Sequence, residues 1–351
     1  MSERHPYIVA EIGGNHNGDV ELGKRMIREA KACGADAVKF QLYRRQDLWT
    51  EDHLKELNAG VVKLENVPNW TTKELGLNNI FEQIDRFAVQ EQEHIDFFAC
   101  AREVGIDYGT SAFTKKDVDF CIDQKVSNLK VASCDATNLD LIEYVISKEY
   151  PVHIALGMVT MDEIREVVKL IPDSCRHNVT LLHCVSLYPP RDSQVNLAFM
   201  ATLRREFGMA VGYSDHTLGY AVPLAAAALG ASVIEKHFTL DKNMPGWDHK
   251  VSADPEELRI ICEMSKRISD ALGDGTKTTL CEDEIAKRRK FMRTIATARP
   301  IKSGAEIVYE DIVFKRPGTG ICASRFREVI GKKAAHDIKA DKTLFWEDIK
   351  G

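Results

Sequence analysis

Lys39 and Lys130 each interrupt an otherwise apolar run, Ala37-Val-Lys-Phe-Gln41 and Asn128–Ser133. Runs this short and apolar read as buried strands, and a buried ammonium without a partner costs several kcal/mol. The two amines therefore need acids beside them, for which Glu11 and Glu235 are the candidates, or an anion to hold. Polar residues recur at the ends of other runs of the same kind. They are Glu11, Asn15 and His16; Gln41; Thr110 and Ser111; Ser133; His183, Ser186 and Tyr188; Ser214, Asp215 and His216; and Glu235, Lys236 and His237, with Asp248 in the segment that follows. Lysines with hydroxyls make a cage for phosphate and carboxylate. Two histidines with a carboxylate make a divalent-metal site with open positions, and such a metal polarises a carbonyl. An anionic phosphate substrate beside a polarised carbonyl points to addition of an enol phosphate to an aldehyde. A lone histidine is more often a core residue than a ligand, so His16 and His183 are read as structural. His216 and His237 share adjacent strand ends and are read as ligands.

For these residues to meet, their strands must lie parallel with their C-terminal ends together. Strands are predicted at Tyr7–Ile12, Ala37–Gln41, Ile106–Ser111, Asn128–Ser133, Pro151–Leu156, Val179–Cys184, Met209–Ser214 and Ser232–His237. Each is followed by a stretch of helical spacing: Asp19–Cys33, 90–104, Lys115–Gln124, Leu139–Ser147, Met161–Leu170, Gln194–Phe207, Tyr220–Leu229 and Pro255–Leu272. Parallel strands need crossover connections. Eight such units predict an α/β fold, a (β/α)8 TIM barrel over residues 1–275 whose site lies at the C-terminal strand ends; a doubly wound open sheet is the alternative. Residues 276–290 read as a linker, with Lys287-Arg-Arg-Lys290 its solvated basic face. Residues 291–351 read as a small domain rich in short β elements, and no short-period repeat stands out. Residues 44–90 are too many for an ordinary βα loop. Trp49 and Trp70 argue that this segment is ordered, and its place at the catalytic face predicts a lid over substrate.

Composition narrows the function class. The chain has 351 residues, 44% of them hydrophobic and 28% charged, with a net charge of −6. That balance argues against a general nucleic-acid binder. The nine cysteines contain no C-x-x-C pair and read as reduced, mostly buried thiols of a cytoplasmic protein. The N-terminus lacks the apolar core of a signal peptide. The longest apolar run, Ala221–Leu229, is too short to span a bilayer, so no membrane partner is expected.

Ala10-Glu-Ile-Gly-Gly-Asn-His16, Lys39-Phe-Gln41, Leu182-His-Cys184 with Tyr188-Pro189, Ser214-Asp-His-Thr217 and Glu235-Lys-His-Phe-Thr239 resemble the sialic acid synthase family. Lys315-Arg-Pro-Gly318 and Gly331-Lys332 are similar to that family's C-terminal antifreeze-like domain. The resemblance runs from about Tyr7 to Ile349. It implies a barrel followed by the antifreeze-like domain, a domain-swapped homodimer, and Mn2+ or Mg2+ held by His216 and His237. It implies that Lys39, Thr110, Lys130, Ser133 and Ser214 hold phosphoenolpyruvate, with Gln41 among the substrate-binding residues. It places Glu11, Tyr188 and Asp248 near the acceptor sugar, with Glu11 managing protons, and has Arg316 reach across the dimer to the sugar's N-acetyl group. The chain departs from the pattern at Ala155, where the family often has a serine, at Ser186, where an asparagine is common, and at Trp247, a bulky residue beside Asp248. The first removes a phosphate hydroxyl; the other two bear on the acceptor.

The expected reaction is metal-dependent condensation of phosphoenolpyruvate with N-acetylmannosamine, or a related six-carbon amino sugar, giving an N-acetylneuraminate-type nonulosonic acid and phosphate. Glu11, His216 and His237 are the expected catalytic residues, with Glu11 kept ionised by cationic neighbours. Legionaminic or pseudaminic acid synthesis is the alternative. A Schiff-base aldolase using Lys39 or Lys130 and a sugar-binding protein without turnover are the remaining rivals.

Overall fold

The computed structural model describes residues 5–59, 80–273, 275, 276 and 279–351. The chain forms two compact units, Met1–Gly273 and Asp274–Gly351. In the first, eight parallel strands close into a barrel in sequence order: β1 (Tyr7–Glu11), β2 (Ala37–Leu42), β3 (Asp107–Ala112), β4 (Asn128–Val131), β5 (Val152–Ala155), β6 (Val179–Cys184), β7 (Ala210–Asp215) and β8 (Val233–His237). Alternation along each strand divides its side chains between two cores. Ile8, Ala10, Val38, Phe40, Tyr108, Leu181, Tyr213 and Ile234 face outward into one large apolar cluster with the surrounding helices. Val9, Ala37, Leu182 and Val233 make a small separate cluster inside the barrel. Polar residues of the same strands lie above this floor.

The helices carry the caps that the sequence provides. Asp19 accepts from the backbone N–H of Glu21 and Leu22 ahead of helix Val20–Ala32. Thr114 with Asp117, and Thr160 with Glu163, form reciprocal capping boxes. Asp254 caps helix Pro255–Leu272, with the proline in its first turn. The predicted helix Gln194–Phe207 is two pieces, Asp192–Val195 and Phe199–Phe207, parted where Asn196 takes a left-handed φ of 50°. Ser133, read as the end of β4, instead opens a short 3-10 turn.

The segment after β2 contains helices Arg45–Leu48, Glu51–Asn58 and Ile80–Phe87; Trp70 lies outside the described residues. The Arg44 guanidinium anchors the segment, donating to Asp47, Asp117 and Glu91 at 2.9–3.1 Å. Tyr43, Leu54, Ile84 and Ala88 form its own apolar cluster, joined by Trp49, Phe113 and Trp247.

In the second unit, residues read as linker carry helix Glu282–Phe291, which buries none of its side chains. Its signal is electrostatic: Glu282, Asp283 and Glu284 occupy the first turn and Arg288, Arg289 and Lys290 the last, the arrangement that complements the helix dipole. The remainder is built from short antiparallel pieces, including β9 (Thr294–Thr297) against β10 (Ile312–Lys315), around Ile295, Ile307, Ile321 and Leu344. A repeat missed in the sequence emerges here. Ile301–Ile312 and Ile338–Ile349 follow one pattern, I-K-x-x-x-x-[IL]-x-[YW]-E-D-I. Gly304 and Asp341 share a left-handed φ. Asp311 and Asp348 accept from the backbone N–H of Val308 and Phe345, and their carbonyls from Ala298 and Ala335.

Gly212 of β7 leaves no room inside the barrel: a Cβ there would lie 2.6 Å from the Val233 carbonyl oxygen and 2.7 Å from Leu182 Cδ2. Gly212→Ala is expected to cost roughly 1–3 kcal/mol by overpacking, read as a lowered urea midpoint. An unchanged midpoint would show that the floor has slack.

Candidate active site

The C-terminal strand ends surround a cavity of about 380 Å3. Ten of the expected residues line it: Glu11, Lys39, Gln41, Lys130, Ser133, Tyr188, Ser214, His216, His237 and Asp248. Thr110 does not. It is fully buried, with its hydroxyl turned to the Ser111 carbonyl. Its neighbour Ser111 faces the cavity and accepts from Lys39 Nζ at 3.0 Å, because alternation sends only one of two adjacent strand residues inward. Arg316 belongs to the second unit, where its guanidinium lies 5.4 Å from the Phe291 ring centre.

The register brings four charges together. Glu11 stands opposite Lys39, and Ser214 opposite Glu235. Lys39 pairs with Glu11 and lies 4.0 Å from Glu235, to which Lys130 is also paired. Ser214 Oγ donates to Glu235 at 3.0 Å, and Gln41 Nε2 to Glu11 at 2.7 Å. All four charged side chains are buried. Their surroundings split the two acids. Burial favours the neutral form of Glu235, but Lys130 and Lys39 outweigh it and hold this carboxyl well below the usual range. At Glu11 burial prevails over Lys39 and, with Glu235 nearby, raises the carboxyl above its ordinary value. Burial thus works against the cationic neighbours expected to keep Glu11 ionised. Acids pushed apart in this way suit different roles, one a fixed charge and the other a proton carrier. Lys130 is raised: burial opposes its charge, yet Glu235 and Glu11 prevail. His153 of β5, overlooked in the sequence reading, is buried near the same charges and is pushed down to about 4 by burial.

His216 and His237 lie with ring centres 5.5 Å apart, and the Tyr188 ring lies 4.0 Å from that of His216, tilted by 34°. His216 Nδ1 lies 2.9 Å from the Val185 carbonyl oxygen. A carbonyl only accepts, so Nδ1 carries a proton, and in the neutral ring Nε2 keeps the lone pair. His237 Nδ1 is buried without a hydrogen-bond partner, 3.8 Å from Asp248 Oδ2. Burial pushes Asp248 up to about 6. Among the described residues no three His, Cys, Asp or Glu side chains converge closely enough to hold a metal unaided. The two imidazoles fit an ion that takes its other ligands from water and substrate oxygens. His16 and His183, read as structural, are so: His16 lies among Phe40 and Phe97, and His183 Nε2 meets the Val195 carbonyl at 2.7 Å. Asp215 and Lys236 are fully buried in a 2.7 Å ion pair and do not line the cavity.

The cavity's far wall is apolar. Tyr43, Leu48, Trp49, Phe87, Phe113 and Trp247 line it, with Phe87 and Trp247 edge-to-face at 5.0 Å. Removing Glu235 would strip Lys130 of its counter-charge and leave Lys39 with Glu11 alone. Glu235→Ala is expected to cost about 3–5 kcal/mol of stability, measured by equilibrium denaturation. A loss below about 1 kcal/mol would mean that water reaches the lysines.

The family model for the NeuB family matches residues 26–277, and that for the SAF domain residues 293–350. The chain is 36% identical over 348 residues to N,N'-diacetyllegionaminic acid synthase of Legionella pneumophila, covering 98% of this chain and 94% of that protein. It is 33% identical to the Campylobacter jejuni protein of the same name, covering 96% and 98%. Among solved structures, the N-acetylneuraminic acid (sialic acid) synthetase of Leptospira borgpetersenii superposes with a TM-score of 0.69 at 30% identity, covering 82% of this chain and 93% of that one. With a charged ring at the barrel mouth and a family match over most of its length, the chain belongs to the NeuB family of sialic-acid-type synthases and ends in a SAF domain.

Proposed function

We propose that the protein condenses phosphoenolpyruvate with an N-acetylated six-carbon amino sugar of the N-acetylmannosamine type, giving a nonulosonic acid and inorganic phosphate. The observation that carries this reading is the pairing of two buried lysines and three hydroxyls with two imidazoles in one cavity. Lys39, Lys130, Ser111 and Ser133 supply the donors for a phosphate and a carboxylate, with Ser214 beside them on Glu235. Lys130, held as an ammonium by Glu235 and Glu11, suits an anion clamp and not a Schiff-base nucleophile, which needs a lowered pKa.

His216 and His237 would hold a divalent cation, Mn2+ or Mg2+, which when bound supplies Lewis acidity toward the aldehyde carbonyl. Carbon 3 of the enol phosphate then forms the new bond to the aldehyde carbon. Water adds at carbon 2, one of its protons ending on the oxygen of the former aldehyde, and the C–O bond to phosphate breaks as the new carbon-2 hydroxyl gives up the other and becomes the ketone. Glu11, held by Gln41 and with a raised carboxyl pKa, carries the proton between the attacking water and the leaving group. Tyr188 and Asp248 border the acceptor. Arg316, in a domain-swapped homodimer, would complete the acceptor site of a second copy, a reading supported by the family resemblance. Nine free thiols fit a cytoplasmic setting, and among the described residues no helix is long and apolar enough to cross a membrane.

One observation favours a second acceptor. The wall of Leu48, Trp49, Phe87, Phe113 and Trp247 carries no hydroxyl or charge, and Tyr43 is the one member of this wall with an oxygen to offer a sugar's far end, which favours a deoxy, diacetamido sugar of the legionaminic type; the Legionella and Campylobacter relatives bear that name.

Phosphate release from phosphoenolpyruvate should require an acceptor, stop with excess chelator, and return with Mn2+. Release with N-acetylmannosamine supports the first acceptor, and release only with the deoxy, diacetamido sugar the second. Chelator-insensitive turnover would refute the metal. Glu11→Gln should lower kcat by about 100-fold or more with the fold retained by circular dichroism; wild-type turnover in this variant would remove Glu11 from the chemistry.

A further inference from the structure

Asp248 stands at the head of a short 3-10 turn, His249–Val251, and this turn is held from the loop that follows β1. Asn15, fully buried, donates its side-chain amide to the Phe238 carbonyl at 2.9 Å and to Ser252 Oγ at 2.8 Å. Ser252 Oγ in turn donates to the Asp248 carbonyl at 2.7 Å. Two residues on, Asn17 Oδ1 accepts from Nε2 of the fully buried His249 at 3.3 Å, while His249 Nδ1 lies 2.7 Å from Thr239 Oγ1. One neutral imidazole makes both bonds, donating at Nε2 and accepting at Nδ1.

Asn17 also holds a second segment. Its main-chain carbonyl accepts from Arg86 Nε at 2.8 Å. Arg86 lies in the last turn of helix Ile80–Phe87, one residue before Phe87 of the aromatic wall. Asn17 has a left-handed φ of 54°, a conformation that asparagine visits more readily than most side chains. Both contacts are tightly fitted. A Cβ on Gly18 would lie 2.8 Å from the Arg86 carbonyl oxygen, and one on Gly246 would lie 2.9 Å from His249 Nε2 and 3.1 Å from Asn17 Oδ1.

We propose that Asn17 is a positioning residue that ties helix Ile80–Phe87 to the turn presenting Asp248, so that the aromatic wall and this carboxyl are placed as one unit. Neither Asn17 nor Arg86 lines the cavity, so both act through the residues they hold. The consequence for acceptor binding rests on the proposed function; the mechanical tie does not.

Hydrogen exchange and kinetics on the full-length protein test it. Asn17→Gly keeps the left-handed φ and the carbonyl but removes the amide, whereas Asn17→Asp keeps an acceptor for His249. Loss of one ordinary hydrogen bond should raise the acceptor KM about three- to tenfold in Asn17→Gly, with phosphoenolpyruvate affinity by calorimetry within about twofold. Asn17→Asp should recover most of that loss. The Val251 and Ser252 amides, which donate to the Asp248 carbonyl, should exchange faster in Asn17→Gly. Arg86→Ala should speed them too, and its effect should vanish when residue 17 is already glycine, because residues acting in one chain are not additive. Unchanged exchange at Val251 and Ser252 in Asn17→Gly overturns the tie, as does an additive effect of Arg86→Ala. Phosphoenolpyruvate affinity weakened as much as the acceptor KM is raised also overturns it, by revealing a general loosening. Wild type without turnover on any acceptor refutes the proposed function instead, and the exchange measurements then decide the tie alone.

Discussion

Four charged side chains, Glu11, Lys39, Lys130 and Glu235, lie buried inside the barrel above an apolar floor. Each alone would be costly there, since an ion removed from water needs both a counter-charge and hydrogen bonds. Together they neutralise one another, and Ser111, Ser214 and Gln41 meet further valences. The arrangement depends on register. A slip of one residue in β8 would turn Glu235 outward and put Lys236 inside. The rigid shell of packed helices holds that register, so barrel packing and site electrostatics are one constraint.

The same quartet would let the site take up the dianion of the proposed reaction. Lys130 is held charged by Glu235 and Glu11, and both lysines are positioned by their acid partners, so their reorientation costs little when a ligand arrives. The acids beside them are unequal. Glu235 sits between two lysines and stays ionised, whereas Glu11 is shifted toward its protonated form by burial. One acid thus fixes the cations while the other remains able to exchange a proton, and the difference comes from position alone.

Opposite this charged end, the segment after β2 folds over with aromatic side chains. Phe87 meets Trp247 from the loop after β8, so segments distant in the chain share one wall. The cavity therefore has a polar end fit for phosphate and carboxylate and an apolar end that discriminates by shape. Two histidines lie among these groups, His216 oriented by the Val185 carbonyl.

The sequence by itself determined the barrel. Apolar runs alternating with capped helical stretches, such as Thr160 with Glu163 before Met161–Lys169, admit few other folds, because local caps and periodicity act within a few residues. It also determined that Lys39 and Lys130 need partners, since burial of an ammonium follows from its flanking residues. Only the tertiary structure decided which of two neighbours faces inward. Thr110 and Ser111 are equally polar on paper, and strand register put Ser111 in the cavity. The helix Glu282–Phe291 escaped notice because it has no apolar stripe, and the repeat in the SAF domain because its two copies are short and share only their ends, with little identity between. The contest between burial and Lys39 at Glu11, and the meeting of Arg86 and His249 at Asn17, depend on distances between segments far apart in the chain. No local rule of propensity or spacing contains those distances; the packing of the closed barrel sets them.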